Sequence, residues 1–287
     1  MIVYDLKDDY PIRNLCRYLK ISTSGYYRWI KLGRPLYYKF DGTIACLIET
    51  LFYESYKGYR YIQMQLIRRY GLVLNPKTVY RYMKILNLSS PIRKKRFVSC
   101  TTQNPNEKAR IVHNNVLARN FEASRPLEKL VTDVSYIHHK EGRLFLSVIK
   151  DLYDNSILAY KVSRFNDLLL VMDTVNQVIN DAWDLSTFCL IHSDQGFQYT
   201  NTLYIRYLDD HQVTISHSRK ANCYDNACCE NFFSHIKSES LELHNLPETQ
   251  EALIKLVDDF ISFYNYDRPQ LKLNGMTPFE YRNAYFP

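Results

Sequence analysis

The chain has 287 residues, 46% hydrophobic and 23% charged, which is ordinary for folded protein and leaves room for two or three domains. No apolar run is long enough to span a bilayer. The opening residues Met1-Ile2-Val3-Tyr4-Asp5-Leu6-Lys7-Asp8-Asp9 lack the pattern of a signal peptide, so a soluble protein that stays where it is made is expected.

The net charge of +7 is unevenly divided. Residues 1–100 hold 19 Lys/Arg against 6 Asp/Glu, and the remainder hold 18 against 24. This split predicts a phosphate-attracting region followed by a cation-holding one.

In chain order, the first hundred residues read as helices. Asp9 and Pro11 look like a cap and first-turn proline, and Ile12, Leu15, Cys16 and Leu19 follow at helical spacing. Ser22 or Thr23 can cap a second short helix bearing Tyr26, Tyr27 and Trp29. Residues 1–40 are therefore expected to form a small helix-turn-helix-like segment.

A second such unit is predicted over 41–96. Ile44, Leu47, Ile48 and Leu51 mark its first helix, and a second runs from Tyr61 to Tyr70 until Gly71 breaks it. Asn75-Pro76 then starts a third. That helix carries Val79, Met83 and Leu86 on one face and Lys77, Arg81 and Lys84 towards the other, an apolar back with a basic front suited to DNA. Arg93-Lys94-Lys95-Arg96 adds four consecutive cations for phosphates. Residues 97–127, rich in Ser, Thr, Asn and Pro, read as a linker with a helical patch near Val116 to Phe121.

From Leu130 the pattern turns to strands, over 130–137, 144–149 and 157–162. A helix over 168–182 follows, then a strand over 188–192 ending at Ser193-Asp194. A short helix over 203–208, a strand over 213–216 and helices over 224–241 and 248–265 complete the order. A three-stranded meander followed by alternating helices and strands is the order of a ribonuclease-H-like α/β fold, a mixed five-stranded sheet flanked by helices, expected over 128–287.

Three acids stand out in this part. Asp133 interrupts an apolar strand, where an uncompensated carboxylate is costly. Asp194 follows directly on a strand, where α/β sheets place ligands. Glu230 lies on the helix after the fifth strand, and Lys237, seven residues on, shares its face. Magnesium takes oxygen ligands, and a pair of such ions serves phosphodiester displacement. Asp225, only five residues before Glu230, rivals it as third carboxylate or else caps the helix. Asp151, beside turn residues, and His192, beside a strand end, are expected to be structural.

Seven cysteines, at 16, 46, 100, 189, 223, 228 and 229, are an odd and scattered set and argue for free thiols.

Between Asp133 and Asp194 stand 60 residues, and between Asp194 and Glu230 stand 35. Around them lie Val131-Thr132-Asp133-Val134-Ser135-Tyr136-Ile137 and His192-Ser193-Asp194-Gln195-Gly196-Phe197-Gln198-Tyr199. Ser218-Arg219-Lys220-Ala221-Asn222-Cys223-Tyr224-Asp225-Asn226-Ala227 precedes Glu230-Asn231-Phe232-Phe233. This resembles the retroviral-integrase-type catalytic core, and above all the second-frame (OrfB) protein of the insertion-sequence-three family of bacterial elements. Gly58-Tyr59-Arg60-Tyr61-Ile62, Asn75-Pro76-Lys77-Thr78-Val79, Arg268-Pro269 and Thr277-Pro278-Phe279-Glu280-Tyr281-Arg282 extend the likeness over nearly the whole chain. Leu130, Ala221, Asn231 and Tyr61 depart from the residues usual there, and none is a ligand.

The resemblance implies a DNA transposase that cleaves transposon ends and transfers strands. It implies Asp133, Asp194 and Glu230 as ligands of two Mg2+ ions, with Mn2+ as a substitute. Lys237, Arg60, Lys77, Arg81, Lys84, Arg93, Lys94, Lys95, Arg96, Arg219 and Lys220 are the expected DNA-binding residues. Transposon-end and target DNA are the expected partners, with a homo-oligomer on DNA, a first-frame (OrfA) partner or fusion, and a bacterial cytoplasmic, nucleoid-associated setting. A non-catalytic DNA-binding regulator and a hydrolytic ribonuclease-H-like nuclease are the alternatives; a joining assay separates all three. The 25 tyrosines invite a tyrosine-recombinase reading, but no Arg/His/Arg/Tyr set accompanies them.

Overall fold

The computed structural model describes residues 2–33, 40–92, 111–182, 189–219, 223–241, 243 and 246–285. They fall into two units, Met1–Pro91 and Ile92–Pro287.

The first unit is helical because its caps and breakers leave little else. Helices α1 (Ile2–Asp5), α2 (Ile12–Tyr18) and α3 (Thr23–Lys31) close a small core of Val3, Cys16 and Tyr26. Ser22 caps α3, its hydroxyl accepting from the Gly25 N–H. Asp9 does not cap α2 as expected. Pro11 itself takes the cap position, and its ring offers no acceptor for the free N–H groups.

Three longer helices follow, α4 (Gly42–Ser55), α5 (Tyr59–Tyr70) and α6 (Pro76–Ile85). Asp41 caps α4 through the Thr43 and Ile44 N–H groups, and Asn75 caps α6 ahead of its first-turn proline. Gly71 ends α5 at φ +63°, a left-handed conformation that suits glycine. Ile48, Leu51, Ile62, Leu66 and Val79 form the core, and the buried Tyr82 hydroxyl accepts from the Asp41 N–H at 2.8 Å.

The second unit is built on one sheet in the order β3-β2-β1-β4-β5. Its strands are β1 (Lys129–His139), β2 (Gly142–Asp151), β3 (Ile157–Ser163), β4 (Leu190–Ser193) and β5 (Thr214–His217). The first three form an antiparallel meander, while β4 and β5 run parallel to β1. This is the expected ribonuclease-H-like sheet.

Alternate residues of β1 serve two cores. Val131 and Ile137 pack with Phe232, Ile236, Leu253 and Val257, from α9 (Ala227–Ile236) and α10 (Gln250–Ser262). Leu130 packs on the other face with Val171, Val175, Ile205 and Leu208, from α7 (Leu168–Ala182) and α8 (Thr202–Asp210). Both sides of the sheet are thus covered by helices.

The helix expected over 224–241 is in three parts, a 3-10 turn over Cys223–Asn226, α9, and a π turn over Lys237–Leu241. No helix forms over 116–121. Ala118 and Arg119 hold positive φ, and Ser216 takes the Val116 and Leu117 N–H groups, so this stretch lies as a strap against β5.

The last helix, α11 (Pro278–Tyr285), is fastened by Arg282. Its guanidinium donates to Asp151 at 2.8 Å and to Asp154, both fully buried at the turn between β2 and β3. Asp151 also accepts from the Leu127 and Tyr153 N–H groups, which gives it a structural role. Breaking a buried pair by removing one partner strands the other charge, typically at about 3–5 kcal/mol. Arg282→Ala should therefore lower stability in urea unfolding at neutral pH by about 3 kcal/mol, and adding Asp154→Asn should recover part of it. Unchanged unfolding would show that the pair contributes nothing.

Candidate active site

Strand register brings the first two acids level. The last aligned pair of β1 and β4 is Val131 with His192, and Asp133 and Asp194 each lie two residues beyond it. Period-two alternation puts Asp133 on the face of Val131, the face that α9 covers with Glu230. The three carboxyls feel one another. Asp133 is half-buried, while Asp194 and Glu230 are exposed, so the site opens to solvent.

Burial first, then the Asp194 charge, pushes the Asp133 carboxyl up to about 8, with Glu230 adding to the rise and Lys237 opposing it. Asp194 is raised by the protein packed around it, and Glu230 by the same cause and by Asp194. Among the described residues, no three His, Cys, Asp or Glu side chains already stand as a ready metal cage.

Backbone donors orient two of the acids. Asp133 Oδ1 accepts from the Val134 N–H at 2.8 Å, and Asp194 Oδ1 from the Gly196 N–H at 2.8 Å. A Cβ on Gly196 would stand 2.9 Å from that same Asp194 oxygen, so a side chain there displaces the carboxylate.

Lys237 reaches across from the end of α9. Its ammonium donates to Ser135 Oγ at 2.7 Å and lies 4.6 Å from the centre of the exposed Tyr136 ring. His192 is buried between Ser216 and Ser218, and that burial lowers it to about 4, so it is a neutral packed group at pH 7.

Asp225 does not cap α9, whose cap position is Asn226. The Asp225 side chain is fully buried and held by Arg219, Arg119 and Asn115; Arg219 above all drives its carboxyl well below the usual range. Arg219, expected on DNA, makes this ion pair with a side chain 58% exposed.

Arg60, Lys77, Arg81 and Lys84 are all exposed in the helical unit, Lys84 beside the Tyr80 ring. Tyr61 there packs under the Lys57 ammonium and accepts from Gln65. Arg93, Lys94, Lys95, Arg96 and Lys220 lie outside the described residues.

Sequence reasoning missed Gly196, Ser135 and the strap residues Asn115 and Arg119. The Gly beside Asp194 was the one available signal, since a glycine two residues after a site acid suggests close backbone approach.

The mixed five-stranded sheet carries two acids level on adjoining strands and a third on the covering helix, and the chain's relatives make it a polynucleotidyl-transferase-type enzyme of the integrase class. Two family models described as "Integrase core domain" match residues 123–223 and 230–286, and one described as "HTH-like domain" matches 41–96. InsK of insertion sequence element IS150 from Escherichia coli (strain K12) is 34% identical over 100% of this chain and 99% of its own. Transposase InsF for insertion sequence IS3fB of the same organism is 26% identical over 96% of this chain and 95% of its own. The HTLV-2 integrase catalytic core domain, solved in complex with magnesium, superimposes with a TM-score of 0.43 at 16% identity, over 55% of this chain and 97% of that one. The chain belongs to the insertion-sequence-three family of transposases.

Asp133 makes the site a pH-dependent load on folding. Its carboxyl is raised from 3.8 to about 8, so its favourable term is fully present below the unfolded value and is lost as pH rises through about 8. For metal-free protein, Asp133→Asn should raise Tm at pH 8.5 by on the order of 5 °C, with the gain shrinking towards pH 4. A gain equal at both pH values would contradict this origin.

Proposed function

We propose that this transposase cuts transposon ends and joins them to target DNA at a divalent-metal site formed by Asp133, Asp194 and Glu230. The observation that carries the proposal is the register that sets Asp133 and Asp194 level on parallel strands, with Glu230 near enough to raise Asp133's proton affinity. The donor set suits magnesium or manganese, since all three groups offer hard anionic oxygen. Two divalent ions held there would stabilise the attacking and leaving oxygens of an in-line displacement.

The chain's own groups supply the positioning. Val134 and Gly196 N–H groups fix one oxygen each of Asp133 and Asp194, leaving the other free. The Lys237 ammonium lies on the Asp133 side of β1 beside Ser135 and would hold a DNA phosphate. Water attacks the phosphodiester at a transposon end and the 3′-oxygen leaves as a hydroxyl. That hydroxyl then attacks a target phosphodiester and displaces its 3′-oxygen, which leaves as a new 3′-hydroxyl, so no side chain is covalently joined to DNA.

The helical unit supplies affinity. Lys77, Arg81 and Lys84 stand exposed on α6, with Val79 and Met83 buried behind them. Joining two transposon ends calls for more than one copy of the chain on DNA.

Asp194→Asn should abolish both cleavage and joining while leaving binding to transposon ends near the parent level. Full joining by this variant would defeat the assignment. Neutralising Lys77, Arg81 and Lys84 together should reduce the slope of log K against log salt by about 0.9 for each lost phosphate contact. An unchanged slope would remove α6 from the interface.

A further inference from the structure

The strap over 111–122 precedes both matched integrase segments, and Asp225 falls in the gap between them. Yet these residues meet at the foot of the helix that carries Glu230. Asp225 Oδ1 accepts from Arg119 Nε at 2.8 Å and Arg219 Nη2 at 2.8 Å. Asp225 Oδ2 accepts from Asn115 Nδ2 at 2.9 Å, Arg219 Nε at 2.9 Å and the Arg219 N–H at 3.1 Å. Five donors saturate a carboxylate that has about four lone-pair directions.

The strap is itself anchored. His113 N–H donates to His217 Nδ1 at 2.9 Å, Ser216 Oγ takes the Val116 and Leu117 N–H groups, and Leu117 is buried in the core that holds Cys229, Phe232 and Phe233. One end of α9 is thereby tied to β5.

The start of α9 needs such a tie. Its cap residue, Asn226, makes no side-chain cap bond. Asn226 instead points Nδ2 at the Thr132 carbonyl, 3.4 Å away and next in sequence to Asp133. Glu230 is exposed and sits in the first turn, so its place depends on how that turn is held.

We propose that Asp225 is a positioning residue for Glu230, and that Asn115 and Arg119 of the strap set it. The proposal rests on the metal-site reading above. A strap that is lost or loosened leaves the sheet intact but lets the first turn of α9 drift. Displacement of a reacting group by about 1 Å costs on the order of 100-fold in rate, and loss of a partner behind a metal ligand costs about 10–100-fold in metal affinity.

The test uses the full chain with Asn115→Ala and Arg119→Ala combined, with Asp225→Asn as an isosteric second variant and Arg119→Lys as the conservative one. Three quantities are read well below Tm: Mn2+ binding by electron paramagnetic resonance, amide exchange over 227–233, and the Mg2+ concentration for half-maximal end cleavage. The double variant should bind Mn2+ about tenfold more weakly, raise half-saturating Mg2+ by a similar factor and speed exchange in α9, while end binding stays unchanged. Arg119→Lys, which keeps the charge, should recover most of the metal affinity.

A purely structural role would lower Tm and leave metal binding and α9 exchange at parent values; that result overturns the proposal. Should Asp194→Asn remain fully active, the metal-site reading fails instead. An inactive Asp194→Asn beside an unaffected strap variant refutes the strap alone.

Discussion

Like charges at one strand end resist being gathered, and the fold gathers them nonetheless. Asp133 and Asp194 are level because β1 and β4 are parallel neighbours, and α9 adds Glu230 from the face that Val131 and Ile137 fasten to it. Burial raises proton affinity in all three groups, and the Asp194 charge adds to the rise at Glu230 and at the half-buried Asp133. Such an arrangement is relieved by a proton or a cation. Protons relieve it in the free protein, and in the proposed working state divalent ions do so together with DNA.

Much of the second unit can be understood as holding that arrangement still. Arg282 pins the last helix to the turn at Asp151 and Asp154, at the β2 end that pairs with the start of β1. Arg219, Arg119 and Asn115 close on Asp225 at the start of α9, and Ser216 and Ser218 seat a neutral His192 between β4 and β5. Each is a buried polar group with its partners supplied, as low-dielectric surroundings demand. The helical unit is organised differently, with apolar helix backs inward and cations outward on α6.

Strands and acids were legible because their signals are local. β-branched runs marked β1, the apolar run before Asp194 marked β4, and helical spacing marked α4 to α7. The strap was not legible. Its three asparagines, at 114, 115 and 120, read as linker, and the positive φ of Ala118 and Arg119 has no signature in those residue types. Asp225 looked like a cap because it sits just ahead of a helix. Its partners, Arg119 and Asn115, lie more than a hundred residues earlier, and no periodicity reports a contact of that range. The pairing of Arg219 with Asp225, six residues on, was not legible either, since an unpaired cation and an ion-paired one are identical in sequence.

The most direct test is diffraction from the full chain crystallised with manganese and a cleaved transposon-end duplex, using the anomalous signal of the metal. The account predicts two peaks about 3.5–4 Å apart, bounded by carboxylate oxygens of Asp133, Asp194 and Glu230. Manganese bound at other carboxylates, with Glu230 turned away while the crystals retain joining activity on dissolution, would contradict it.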